Sequence, residues 1–99
     1  MTPEGRVKNK IKKVLEKYKG RIYIDMYVPG GYGKPTLDYT GCFHGWYFAI
    51  EAKAPGKKPT ERQLETIKDM EAAGAKVFVI DGDTTELETW LADVEETWG

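Results

Sequence analysis

Two strand-like stretches, residues 46–53 and 77–80, are separated by a segment patterned as a helix, and that connection constrains the fold more than any other feature. Thr60-Glu61-Arg62-Gln63 matches a capping box, in which a threonine and a glutamine three residues on satisfy each other's backbone donors. Leu64, Ile67 and Met70 follow at helical spacing as the expected buried side, and Gly74 is the expected stop. A helix between two strands of one sheet carries the chain across it, so those strands should run parallel. The short continuous apolar run at 77–80 suits a strand covered on both faces.

The rest of the chain fills in around this crossover. Thr2-Pro3-Glu4 reads as a helix start, with Thr2 as cap, Pro3 in the first turn and Glu4 at the positive end of the dipole. Val7, Ile11, Val14, Leu15 and Tyr18 form an apolar stripe, and Gly20 is a plausible end. Residues 22–28 alternate, with Ile22, Ile24, Met26 and Val28 on one face, as a half-buried strand does. The glycine- and proline-rich stretch 29–35 must be a loop, 37–43 reads as a second strand, and His44-Gly45 should turn into the third. Asp83 can cap a last helix that aligns Leu87, Trp90, Leu91, Val94 and Trp98. The expected order is αβββαβα: one α/β domain over residues 1–99 with a mixed sheet of about four strands flanked by helices.

Composition narrows the class. With 99 residues, 40% apolar, the chain can bury a core without staples. Cys42 is the one cysteine, so no intrachain disulfide is possible. Together with the charged N-terminal helix and the absence of a run near the ~20 apolar residues of a membrane span, this leads us to expect a cytoplasmic protein with no membrane partner. The net charge of −1 hides an asymmetry. Residues 1–21 carry eight basic groups against Glu4 and Glu16, whereas 81–99 carry seven acids and no Lys or Arg. The basic end could meet a polyanion or simply form a solvated helix face.

The chemistry gathers at Asp38, Glu51 and Lys53. Residues two apart on a strand share a face, so Glu51 and Lys53 project together while Phe48, Ile50 and Ala52 face the core. A hairpin turning at His44-Gly45 brings Asp38 opposite Glu51, because each lies about six residues from the turn. Two carboxylates there make a hard oxygen site suited to Mg²⁺, which is normally held by one or two carboxylates plus waters and substrate phosphate. Lys53 adds fixed positive charge. A surface Glu51–Lys53 pair alone would mean little. Cys42 and His44 lack the partners for a zinc site or a nucleophilic pair, and we read them as a half-buried cysteine and a turn histidine.

Asp38, Phe48-Ala49-Ile50-Glu51-Ala52-Lys53, the loop Ala54-Pro55-Gly56-Lys57-Lys58-Pro59, Gln63, and Ala73-Gly74-Ala75-Lys76-Val77-Phe78-Val79-Ile80 together resemble the VRR-NUC family of the PD-(D/E)xK nuclease superfamily, in its stand-alone form. The resemblance covers nearly the whole chain. It implies a restriction-endonuclease-like core and a Mg²⁺-dependent endonuclease for which Mn²⁺ can substitute. By the same resemblance, Asp38, Glu51 and the backbone carbonyl of Ala52 would hold the metal. Lys53 would orient the attacking water or meet the developing charge. Gln63 matches the family's glutamine, and its spacing to Ile67 and Met70 independently turns it inward; the plainer reading is a capping residue. Glu4 matches an acid of the first helix, and it points the way the apolar stripe points; the plainer reading is a dipole-friendly acid. Leu37 stands where the superfamily has proline, a scaffold position.

Contacts to DNA would then come from Lys57 and Lys58 after the third strand, Lys34 in the glycine-rich loop, Lys8 and Lys12 on the first helix, and Tyr32 as a stacking residue. The resemblance also suggests a homodimer cutting four-way (Holliday) junctions. Trp46, Tyr47, Trp90 and Trp98 offer more aromatic surface than one small core needs, as a dimer interface would. Flap or single-strand cleavage, or a nucleic-acid-binding module with weak catalysis, are the alternatives.

Overall fold

The computed structural model describes residues 1–28 and 36–99; Tyr32 and Lys34 lie outside the described residues. The chain forms α1 (Pro3–Glu16), β1 (Ile22–Met26), β2 (Tyr39–Phe43), β3 (Trp46–Ala52), α2 (Glu61–Ala72), β4 (Lys76–Ile80) and α3 (Thr85–Trp98). The four strands make one mixed sheet in the order β1-β2-β3-β4. β1/β2 and β2/β3 are antiparallel, and β3/β4 is parallel, as the α2 crossover requires.

Local chemistry explains these elements. Thr2 Oγ1 accepts the Gly5 N–H at the start of α1, and Thr60 caps α2 through the expected reciprocal box with Gln63. Asp83 serves α3 from one residue outside it: Thr84 occupies the cap position but its hydroxyl donates to Glu88 Oε2 rather than capping the backbone, and Asp83 Oδ1 accepts the Thr85 N–H at 2.9 Å. Between β2 and β3, His44 (φ 47°) and Gly45 (φ 86°) are both left-handed, as the tightest hairpin turns demand. The turn sets Phe43 opposite Trp46 and Tyr39 opposite Ile50. Gly41 on β2 has no room for a side chain, since a Cβ there would fall 2.9 Å from Phe48 Cζ and against the Tyr23 carbonyl.

The core lies on one face of the sheet. Val7, Ile11, Val14 and Leu15 of α1 and Leu87, Leu91 and Val94 of α3 pack with Tyr39, Phe43, Phe48, Ile50, Ala52, Phe78 and Ile80. Each large apolar side chain fully buried here contributes about 1.5–3 kcal/mol. Trp90 sits edge to face with Phe78 and tilted against Phe48, so it belongs with this core.

Five expectations are corrected. β4 is not covered on both faces: it is an edge strand whose Phe78 and Ile80 are buried while Val79 is 42% exposed. Leu64, Ile67 and Met70 are not buried: α2 has no buried residue, and Leu64 is 52% exposed. The reason is position, since α2 packs along β4, an edge strand, and has only a narrow strip of sheet beneath it. β1 ends at Met26, and Met26 and Val28 are exposed where the apolar face of that edge strand outruns its cover. β2 begins at Tyr39 rather than at 37, and β3 ends at Ala52, which leaves Asp38 and Lys53 just past the paired strand ends. Cys42 is exposed, because it faces away from the core beside Tyr47. Among the described residues, no helix is long and apolar enough to cross a membrane.

Candidate active site

The hairpin register, carried one step beyond its last pair, places Asp38 opposite Glu51, and the side chains meet there. The Asp38 N–H donates to Glu51 Oε1 (3.3 Å), and Asp38 Oδ2 accepts the Ala52 N–H (2.8 Å). Each acid is thus fixed by the other strand's backbone. Lys53 leaves β3 on the same side as Glu51, and its Nζ lies 3.4 Å from Glu51 Oε2. The Lys53 N–H bonds the Ile80 carbonyl at 2.9 Å, so β4 steadies the strand end that carries it.

Gln63 joins the cluster from α2. Its Oε1 accepts the Thr60 N–H at 3.0 Å, while its Nε2 donates to Glu51 Oε2 at 2.7 Å. The capping and site readings of Gln63 therefore describe one side chain using its two ends. The cap consumes the amide oxygen, which turns the amide NH₂ toward the carboxylate.

Glu51 is 3% exposed, and it is the buried charged residue of the described chain. Burial raises its pKa above the ordinary value of 4.5, and the neighbouring Asp38 carboxylate raises it further; Lys53 and the hydrogen bonds pull the other way without prevailing. A divalent cation would relieve this conflict, because it favours both carboxylates ionised at close range. The donor set fits Mg²⁺ or Mn²⁺: two carboxylates with the Ala52 backbone beside them, all hard oxygen ligands, with room in the coordination for water and phosphate. Among the described residues, no group of three or more His, Cys, Asp and Glu is placed to hold a metal ion. The protein's share would thus be the two acids and backbone oxygen.

Glu4 reaches the site indirectly. Lys8 Nζ bridges it, 3.5 Å from Glu4 Oε2 and 3.8 Å from Asp38 Oδ1. Partial burial disfavours the Lys8 ammonium, but Asp38 and Glu4 outweigh that and hold its pKa above its ordinary value. Lys8 was expected among the outer phosphate contacts, and its place inside the cluster was not foreseen. The available signal was its i,i+4 spacing from Glu4.

The other cations sit further out. Lys57 and Lys58 are exposed on the loop between β3 and α2, and Lys12 is exposed on α1 beside a groove toward β1. A cleft of about 250 Å³ opens next to the cluster, bounded by Tyr27, Thr36, Leu37, Thr60, Arg62, Gln63 and Thr66. Sequence reasoning missed Arg62. A cation in the first turn of a helix opposes the dipole, and that mismatch was the clue. His44 lies away from this site, bonded through Nε2 to Glu95 Oε2 at 2.9 Å.

Asp38, Glu51, Lys53 and Gln63 therefore converge, Glu4 joins through Lys8, and Lys57, Lys58 and Lys12 remain peripheral. No protein-family model matches the chain, and no curated protein sequence matches it.

Proposed function

We propose that the chain is a divalent-metal-dependent endonuclease with a PD-(D/E)xK-type core of the VRR-NUC kind, acting on branched DNA as a homodimer, with four-way junctions as the preferred substrate. The observation that carries this reading is the buried Glu51 carboxylate, held opposite Asp38 and contacted by both Lys53 and Gln63. A cluster of this kind brings together what phosphodiester hydrolysis needs: a hard-cation site, a fixed positive charge and rigid orientation of both.

Asp38, Glu51 and the Ala52 carbonyl would hold Mg²⁺ or Mn²⁺, which supplies water activation and charge neutralisation at the scissile phosphate when bound. Gln63 keeps the Glu51 carboxylate in one orientation through its bond to Oε2. Lys53 lies on the same side and faces the charge that develops on the phosphoryl oxygens as water adds to phosphorus and the leaving strand oxygen departs. Arg62, Lys57 and Lys58 flank the cleft and loop beside the cluster, where they can position a phosphate backbone without reading bases.

The test is a panel of end-labelled DNA structures (duplex, single strand, flap and four-way junction) incubated with Mg²⁺, Mn²⁺ or chelator. Metal-dependent cleavage with preference for the junction is expected. Preference for the flap or single strand would keep the nuclease and replace the substrate. Binding without cleavage of any structure would leave a nucleic-acid-binding module in its place.

A further inference from the structure

The two acids of the cluster are not neutralised alike. Glu51 is faced by Lys53, which stands two residues along the same strand and is largely buried. Asp38 is faced by Lys8, which comes from a different element, α1, and whose side chain is 37% exposed. One Asp38 oxygen, Oδ2, is engaged by the Ala52 N–H; the other, Oδ1, meets the Lys8 ammonium at 3.8 Å. Glu4, one turn earlier, steadies Lys8 from the far side at 3.5 Å. A Glu4–Lys8 pair on a helix surface would ordinarily be worth little. The contact to a carboxylate on the sheet is what sets this one apart.

We infer that Lys8 is a built-in counter-ion for the metal-free site: its ammonium occupies Asp38 Oδ1 and must withdraw when a divalent cation binds there. The inference rests on Asp38 and Glu51 being the metal ligands. Two like-signed cations a few ångströms apart repel, so the dication and the ammonium compete for one carboxylate oxygen. A long, partly exposed lysine can yield by swinging its head into water while its stem stays on the helix. Lys53 has no such exit, because it is largely buried at a strand end bonded to β4. Lys8 would therefore set metal affinity by competition, and Glu4 would act on the metal through its hold on Lys8.

Calorimetric titration of Mn²⁺ alone into the full chain, without DNA, tests this. The set is wild type, Lys8→Met, Lys8→Arg, Asp38→Asn, and Lys13→Met as the same charge change on the exposed side of α1. Lys8→Met should bind Mn²⁺ on the order of tenfold more tightly than wild type. Lys8→Arg should stay near wild type, and Lys13→Met should remain within about twofold of it. Thermal unfolding gives a second readout: in chelator Lys8→Met should melt below wild type, with the gap closing as Mn²⁺ takes over the counter-ion's place. Unchanged or weaker Mn²⁺ binding by Lys8→Met, with binding abolished in Asp38→Asn, would overturn the counter-ion role and leave the metal site standing. Equal tightening in Lys13→Met would overturn it as well, since only general charge would be at work. Wild-type affinity in Asp38→Asn would remove the metal site, and this inference with it.

Discussion

A carboxylate buried beside a second carboxylate resists ionisation, and Glu51 meets both conditions. Its pKa in the folded chain lies above the unfolded value, so the protonated form favours folding. The contribution is fully present below the ordinary value of 4.5 and is lost as pH rises through the raised one. Metal-free protein should therefore lose stability over that rise, while Glu51→Gln, which cannot ionise, should lack this component. Urea denaturation at a series of pH values in chelator checks it; an identical pH slope in the two proteins would contradict the buried-acid account. Added Mn²⁺ should act with the opposite sign, stabilising more as pH rises, because the metal needs the ionised ligand. Lys53→Ala should lower turnover by orders of magnitude without weakening metal binding, since the lysine faces the reacting charge and is not a metal ligand. Loss of Mn²⁺ affinity equal to that of Asp38→Asn would contradict that role. The meeting of Asp38 with Glu51 was legible in the sequence, because hairpin symmetry about His44-Gly45 is local. The approach of Lys8 was not, because it depends on how α1 lies across the sheet end.

At the scale of elements, α2 is the informative case. Its capping box was readable as a four-residue pattern and forms as read. Its buried side was not, because periodicity reports which residues share a face and says nothing of how much sheet lies beneath it. With β4 at the edge, Leu64 stays exposed, and the helix start is anchored by the cap and by Gln63 instead. Thr60→Ala should then cost about 1 kcal/mol of stability, as loss of a helix cap does. Turnover should stay near wild type, because Gln63 Oε1 is held by the Thr60 backbone N–H, which the substitution keeps; only the hydroxyl that accepts the Gln63 backbone N–H is lost. Thr60→Ser should restore the lost stability, and Gln63→Ala should lower turnover where Thr60→Ala does not. Thermal melts alongside single-turnover cleavage separate the two effects. Full activity in Gln63→Ala would show that the glutamine serves only as a cap. The hairpin was the easier element: turn, register and antiparallel sense all follow from neighbours in sequence.

Across the whole molecule, the charge asymmetry of the sequence folds back on itself. The basic N-terminal stretch and the acidic last helix meet through Lys17–Glu88 at 3.6 Å and Arg21–Glu95 at 2.6 Å. Part of the basic end is thus paired within the chain, and under the proposed function attraction to DNA would come chiefly from the lysines and arginine near the site. The aromatic surplus divides as well. Trp90 joins the core, while Trp46 (40% exposed), Tyr47 (48%) and Trp98 (60%) remain at the surface, with Trp46 and Trp98 edge to face. A second copy burying these rings would give a two-fold dimer with two equivalent sites. Light scattering should return twice the 11.2 kDa chain mass, and nicks on a mobile junction should fall at symmetry-related positions. A monomer at micromolar concentration with and without DNA, or nicks without symmetry, would remove the dimer and leave the site chemistry untouched.

The most direct test of the central claim, that Asp38 and Glu51 form a metal site for phosphodiester hydrolysis, compares cleavage with binding in Asp38→Asn and Glu51→Gln. Each substitution keeps the size of its side chain and removes one ligand charge. Labelled junction DNA is followed in Mg²⁺ for cleavage, and in chelator for affinity. Both variants should lose cleavage while binding DNA at least as tightly as wild type, because a negative charge has left the phosphate-facing site. Near wild-type cleavage by either variant would contradict the account.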